Sequence, residues 1–515
     1  FAGALAPIGI IILLGALLLT NKTQRDPSIV TKGTAVRRVP WSALLGIISV
    51  ASSIVLATDT YYVYQFGPER GLYMLLASSL LLTLFSIRGK KYSILIALAC
   101  MWTVFGVLVF DPAKGSVNFG GPDTIPTNVP EGVYYNTENA WLDRAVKAWP
   151  VEKRTYSIEY GATPWMPTGD SRTGIPFLVN HWHEIVLEKV WLPTLDGEEA
   201  VRLDVAFPPT GHDPTKTLYL LLHGLNGGSL EGFVQDFVHR RHEEGHTIVI
   251  MIARGLMDTP VVGWDIFHGA RTTDAHAAAK VLKEKAVGPN EMLAGVGYSM
   301  GAIVLTNYAA RYGEDCALDV VVPVSGGLDM RPQEFFKRAK RLWEPMIAFT
   351  LRDQFVIGKF GERYRMRLRK QEMLALMRST DISMIDREAV VTYNGFDDLR
   401  HYYSEMSAMG DIPADGNEVG GRILSVAVPL CVVSALDDPL ISWKTVAGNE
   451  GGRHPSELVK ASPNLVLLLT KGGGHVGWPM GWFPWQHKWE WMNNAAHSFV
   501  EAVVATKKST EAGDL

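Results

Sequence analysis

Cysteine is nearly missing from this 515-residue chain: only Cys100, Cys316 and Cys431 occur, with no pairing or metal-ligand spacing among them. That excludes a disulfide framework, although it fixes no redox compartment. Charge of one sign is also lacking. The net charge is −4, with no basic excess of the kind that holds nucleic acid. No G-x-x-x-x-G-K-[ST] spacing occurs, so the glycine-rich stretch at 224–228 is not read as a phosphate cradle. The length admits two to four domains.

Charge is absent in another way at the start of the chain. Four apolar runs, Ala4–Thr20, Trp41–Thr58, Gly71–Ile87 and Tyr92–Phe110, contain no Asp, Glu, Lys or Arg. Each approaches the ~20 residues that a helix needs to cross a bilayer. Four in succession, separated by short charged loops, count against a signal peptide followed by core helices, and are expected to be membrane spans. They hold few polar groups that could line a path, so they read as an anchor rather than a transporter. Residues 1–110 carry nine Lys/Arg against three Asp/Glu, which leaves the remainder at −10. The positive loops 21–40 and 88–91 are expected on the cytoplasmic side, and everything after Asp111 on the opposite side. The chain begins at Phe1 rather than Met, and further residues are expected upstream.

Residues 111–180 are rich in Gly, Pro, Asn and Thr and read as a linker and wrapping coil, with one helical patch near Glu138–Trp149. His181-Trp182-His183-Glu184 has the look of a metal cluster, but no third ligand follows nearby, and a structural role is expected. From Glu184 onward, strands and helices alternate. Ile185–Leu192 and Ala200–Phe207 form an expected hairpin around Asp196-Gly197. Leu218–Leu222, His246–Ala253, Glu291–Val296, Leu318–Val324, Pro429–Ser434 and Asn464–Thr470 are nearly continuous apolar strands, spaced by helices. This pattern predicts an α/β fold with a mostly parallel sheet covered on both faces, with ligands outside the C-terminal strand ends. The domain is expected over 181–507 and a disordered tail over 508–515.

Gly297-Tyr298-Ser299-Met300-Gly301 fits the G-x-S-x-G nucleophile elbow, between a buried strand and the helical run Ala302–Arg311. Serine is a poor nucleophile at neutral pH and needs a base oriented by a carboxylate. Downstream, Asp437-Asp438-Pro439 and then His475, in Gly472-Gly473-Gly474-His475-Val476-Gly477, follow successive strands. Ser299, an aspartate and His475 thus occur in the chain order of the α/β hydrolases, with Asp437 and Asp438 both open as the acid. His223-Gly224-Leu225-Asn226-Gly227-Gly228-Ser229 closes the strand Leu218–Leu222. The backbone N–H of Leu225 and that of Met300 would form a two-donor oxyanion hole. No metal or organic cofactor is required for this chemistry.

LLHGLNGGS, the Ala253-Arg254-Gly255 tripeptide, GYSMGA, SALDDPL and GGGHVGW stand in an order that resembles the embryogenesis-associated, YheT-type branch of the α/β hydrolases, the type 4 AB-hydrolase family. The resemblance covers roughly residues 180–505 and includes Asn180-His181 at its opening. It implies an α/β-hydrolase fold with a triad of Ser299, Asp438 and His475. It also implies a membrane-anchored lipase or esterase acting on acylglycerols, phospholipids or fatty-acyl esters; some members resemble alcohol acyltransferases. Four N-terminal spans replace the family's usual single anchor, and Ala253 stands where Asn is common.

About a hundred residues separate the strands that end near Ser325 and begin near Pro429, and a helical cap is expected over about 328–425. Lys337–Lys370 holds eleven Lys/Arg against three Asp/Glu, interleaved with aromatic residues. This reads either as a solvated basic face or as a cap touching anionic head groups. The expected protein is a membrane-anchored serine hydrolase of lipid esters. An acyltransferase using an alcohol in place of water, and a non-catalytic membrane receptor or scaffold on the same fold, are the alternatives. The expected partners are a lipid or acyl-ester substrate and a bilayer, not nucleic acid.

Overall fold

Six of the strands in this chain are apolar at nearly every position, and such strands are stable only when both sheet faces are covered. A computed structural model describes residues 129–513, apart from 167, 181–184, 195–196, 198, 262, 290, 411–420 and 448–453. The four expected spans lie outside the described residues; among those described, no helix is long and apolar enough to cross a membrane.

The strands are β1 (Gly132–Tyr135), β2 (Glu188–Pro193), β3 (Ala200–Ala206), β4 (Leu218–Leu222), β5 (Ile248–Ile252), β6 (Leu293–Tyr298), β7 (Val320–Val324), β8 (Leu430–Ala435) and β9 (Leu465–Thr470). They form one sheet in the order β1-β9-β8-β7-β6-β4-β5-β3-β2. β5 through β9 and β4 run parallel. The β2–β3 hairpin joins one edge antiparallel and β1 joins the other.

The principal helices are α1 (Ala140–Ala148), α2 (Gly169–Val179), α3 (Gly232–Glu243), α4 (Thr273–Lys285), α5 (Met300–Tyr312) and α6 (Glu490–Glu511). Strand side chains alternate between two cores. Tyr219, Leu221, Val296 and Val322 pack with Leu142 of α1, Phe237 of α3 and Phe499 of α6. Leu218, Leu220, Leu293 and Val321 pack on the other face with Leu282 of α4 and Leu305 of α5.

Two stretches differ from expectation. α1 occupies the expected helical patch, but in place of coil around it residues 132–179 also supply β1, α2 and the short helix Val151–Arg154. β1 is too short to display a period, and α2 starts from a side-chain cap, Ser171 N–H donating to Thr168 Oγ1 at 3.1 Å. At the other end α6 continues to Glu511, so the first four residues of the expected tail are helical.

Between β7 and β8 the chain builds a helical insertion. It includes Glu344–Thr350, Gly358–Arg367, Lys370–Met377 and Leu399–Glu405, with wide π-helical segments at Leu351–Ile357 and Asp386–Thr392. Many of its cations are engaged within the fold. Arg338 pairs with Asp170 of α2, and Lys359 Nζ donates to Met257 O at 2.9 Å. Arg367 lies over the rings of Trp264 and Tyr393. A solvated basic face therefore describes only part of this segment.

Phe499 is wholly buried and meets the edge of Trp149 at a centroid distance of 5.0 Å. Phe499→Ala should lower unfolding free energy by about 3–5 kcal/mol, read from the urea midpoint. An unchanged midpoint would show that the α1–α6 seam does not support the sheet.

Candidate active site

Ser299 occupies the turn between β6 and α5 with φ 53° and ψ −116°, a conformation that costs a non-glycine residue about 1–3 kcal/mol. Close packing holds it there. A Cβ on Gly301 would come within 2.3 Å of Leu222 O and 2.5 Å of His223 O; one on Gly297 would come within 2.5 Å of Gly301 O. Both glycines are therefore steric requirements, and they bring the start of α5 against the end of β4. Ser299 N–H donates to Val324 O at 2.9 Å, tying the elbow to β7.

His475 and Asp438 meet this serine from the loops after β9 and β8. Nε2 of His475 lies 2.9 Å from Ser299 Oγ, and its Nδ1 lies 2.8 Å from Asp438 Oδ2. The other oxygen of Asp438 accepts from the backbone N–H groups of Leu440 (2.8 Å) and Ile441 (2.9 Å). A carboxylate so engaged accepts from Nδ1–H, leaving the Nε2 lone pair to face the serine hydroxyl. Ser299, Asp438 and His475 thus form a continuous relay.

Asp437, the other open candidate, is placed differently. One oxygen accepts from Arg172 Nη1 at 2.7 Å and the other from Gly474 N–H at 2.9 Å. Neither faces the imidazole, because neighbouring residues of this turn point in different directions. Its contact instead fixes the loop that carries His475. Three consecutive amides of that loop are held by side chains: Gly474 by Asp437, His475 by Thr173 Oγ1 at 2.7 Å, and Val476 by Ser325 Oγ at 2.9 Å. Arg172 and Thr173, both on α2, were not legible as site residues because their segment reads as coil.

The register pairs Leu222 with Gly297, which sets the His223-Gly224-Leu225 turn beside the elbow. A Cβ on Gly224 would stand 3.6 Å from Ser299 Cβ. His223 orients this turn. Its Nε2 accepts from Ala253 N–H at 3.2 Å, so Nδ1 carries the proton and donates to Gly224 O at 2.7 Å. Burial pushes the His223 pKa down to about 4, so the ring is neutral. In a planar trans peptide, the Leu225 N–H points opposite to the Gly224 carbonyl. Met300 opens α5, so its N–H has no partner one turn earlier in the helix. The two expected oxyanion donors therefore belong to segments that both abut Ser299.

Ala253 contributes its backbone N–H, so its side chain matters little there. The neighbouring Arg254 makes a two-pronged ion pair with Asp274 on α4, at 2.6 and 2.7 Å. Beside the start of β5, Glu244, His246 and His497 form the one grouping among the described residues that could hold a metal ion. Each already has a protein partner: Arg241 for Glu244, Thr217 O for His246 and Tyr219 for His497. The His181–Glu184 stretch lies outside the described residues.

Sequence reasoning also missed Glu231, which looks like an ordinary helix start. Its Oε2 accepts from Gly224 N–H at 3.0 Å, and its carboxyl occupies the space that a Gly227 side chain would need. Desolvation raises its pKa from 4.5 to about 8, opposed only by the Gly224 hydrogen bond. The folded chain therefore retains this proton in a window where the unfolded chain has lost it. Stability from this group is present below about pH 4.5 and is lost as pH rises toward about 8. Glu231→Gln removes that dependence. Relative to the variant, wild-type Tm should fall progressively between pH 5 and pH 8, and parallel Tm profiles would refute the linkage.

No family model matches the chain. Among curated proteins it is similar to monoacylglycerol lipase of Saccharomyces cerevisiae, with 24% identity over 280 residues, 53% of this chain and 57% of the relative. It is also similar to phospholipase ABHD3 of Mus musculus, at 25% over 293 residues, 56% and 64% of the two chains. Embryogenesis-associated protein EMB8 of Picea glauca gives 25% over 292 residues, 56% and 58%. The chain thus spans less than two thirds of the length of each of these relatives. Among solved structures, Est1E from Butyrivibrio proteoclasticus aligns with a TM-score of 0.35 and 13% identity, over 62% of this chain and 99% of that one. The sheet order, the strained serine turn, the relay and the curated relatives lead to one assignment: the chain is a member of the α/β-hydrolase superfamily.

Proposed function

We propose that this chain is a membrane-anchored serine hydrolase that cleaves carboxylic esters of lipids, whether acylglycerol, phospholipid or fatty-acyl ester, through an acyl-enzyme. The observation that carries the reading is the relay of 2.9 Å from Ser299 Oγ to His475 and 2.8 Å from His475 to Asp438. Such a relay supplies a serine with the base it otherwise lacks. The curated relatives, named as monoacylglycerol lipase and phospholipase, support a lipid substrate.

In this mechanism His475 Nε2 takes the Ser299 proton as Oγ attacks the ester carbonyl. The positive charge that forms on the imidazole lies against the Asp438 carboxylate, which two backbone hydrogen bonds hold in place. The carbonyl oxygen gains negative charge between the amides of Leu225 and Met300. Such donors are worth ~10²–10³ in rate because they are already oriented when charge develops. His475 then protonates the leaving alcohol, and the same steps with water release the acyl group.

The insertion packs beside this centre. Met300 and Ile303, in the first turn of α5, pack with Tyr402, Tyr403 and Met406 of the insertion. Gly255, φ 75°, has room only for hydrogen beneath Phe360. An acyl chain leaving Ser299 would therefore run along apolar insertion side chains. The four apolar runs before Phe110 serve in this reading as the anchor, with the hydrolase unit on the non-cytoplasmic side.

A fluorophosphonate probe should label the wild-type protein and leave Ser299→Ala unlabelled. An unlabelled wild type, or equal labelling of both, would defeat the proposal. Asp438→Asn, which takes away the acceptor for Nδ1–H, should lower kcat by about 10³–10⁴. Asp437→Asn should cost much less, since it loosens the histidine loop without touching the ring; reversed ranks in ester turnover would exchange the two roles.

A further inference from the structure

Large apolar side chains with strong exposure cluster around one part of this fold. Between the His475 loop and α6 the chain reads Gly481-Trp482-Phe483-Pro484-Trp485, and all three aromatic residues are exposed, Trp482 by 68%. This stretch is fastened to the loop before α2. Gly481 N–H donates to Gly161 O at 2.7 Å, Thr163 N–H to Pro479 O at 3.0 Å, and Trp165 Nε1–H to Trp482 O at 2.9 Å. The fastened loop exposes Ile158 by 71%, together with Tyr160. The short helix Pro484–His487 packs on α2, whose last turn exposes Leu178 by 64% and leaves Phe177 half-exposed against Trp489. Two loops and a helix end, each with exposed large apolar side chains, are thus fastened together.

Single exposed apolar residues need no explanation, but a linked group of this size marks an interaction site. Its make-up favours a particular occupant. Tryptophan and tyrosine are the side chains of the membrane–water boundary, because a large ring can sink among acyl chains while a polar edge remains hydrated. The last bilayer-length run ends at Phe110, and the described fold begins at Val129. A tether of about 20 residues spans at most ~70 Å, so a bilayer carrying that run is always within reach.

The face also shares supports with the catalytic centre. α2 ends in Phe177 and Leu178, and the same helix supplies Arg172 to Asp437 and Thr173 to the His475 amide. The polypeptide from His475 to Trp485 is one short segment. We propose that Ile158, Tyr160, Leu178, Trp482, Phe483 and Trp485 form a docking face that seats in the head-group layer of a bilayer, so that a lipid ester passes from the membrane to Ser299 without crossing bulk water. This deepens the serine-hydrolase reading and rests on it for the substrate, though not for the seating itself.

The test uses the full chain reconstituted in phosphatidylcholine vesicles, alongside a W482S/F483S/W485S variant and the milder Leu178→Ser. Phosphatidylcholine brominated near the head group should quench part of the wild-type tryptophan fluorescence and distinctly less of the triple variant's. Turnover of a long-chain ester embedded in the vesicles should fall about tenfold in the triple variant and less in Leu178→Ser. Hydrolysis of a soluble short-chain ester and labelling by a soluble fluorophosphonate should stay at wild-type levels, which also reports an intact fold. Equal quenching of wild type and triple variant would overturn the proposal and point to a protein partner, or another segment of this chain, covering the face. Parallel loss of soluble and vesicle turnover in Leu178→Ser, with quenching unchanged, would overturn it too. Absence of any ester turnover in the wild type would count against the hydrolase reading while the quenching result still decides the seating.

Discussion

The close approach of α5 to the end of β4 is the constraint on which the rest of the site depends. It exists because Gly301 has no side chain to strike the carbonyls of Leu222 and His223, and because Gly297 yields the same space to Gly301. The strained backbone of Ser299 follows from that packing. So does the placing of an unpaired helix N–H beside the glycine turn after β4. Six parallel strands with apolar residues on both faces make the platform stiff enough to hold this strain, since each strand end is fixed by the register of its neighbours.

A second layer of control lies in backbone amides held by side chains. The His475 loop is held by Asp437, Thr173 and Ser325, drawn from the turn after β8, from α2 and from the end of β7. The turn after β4 is held by His223 from within and Glu231 from the next helix. Each anchor fixes the direction of a peptide group rather than touching reacting atoms. In the proposed reaction such groups are already oriented when charge develops, which keeps reorganisation small.

What was legible in the sequence was what local chemistry dictates. The glycines around Ser299 and His475 announce turns that other residues resist, and the apolar strands before them announce the sheet edge where such turns gather. The choice between Asp437 and Asp438 was not legible from the residues alone. Adjacent carboxylates have the same composition and burial, and only the path of the turn decides which meets the ring. α2 was hidden for a different reason: Gly169-Asp170-Ser171-Arg172-Thr173-Gly174 has weak helix propensity and Pro176 follows inside the same helix, which forms where Arg172 and Thr173 have partners elsewhere in the fold. β1 owes its form wholly to pairing with β9. Glu231 had no sequence signal, since its burial depends on the space left by Gly227.

The two neighbouring acids behind β8 carry a broader lesson about how such a centre changes over time. Their functions differ entirely, one a counter-ion to the imidazole and the other a brace for its loop, yet nothing in their chemistry separates them. Their division of labour is written in chain length. Gain of one residue between Ala435 and Asp437 would carry Asp437 into the place that faces the ring and take its carboxylate away from Arg172. The site therefore depends on spacing as well as on side-chain identity, and the short distance from the strand end to the acid decides which carboxylate meets the ring.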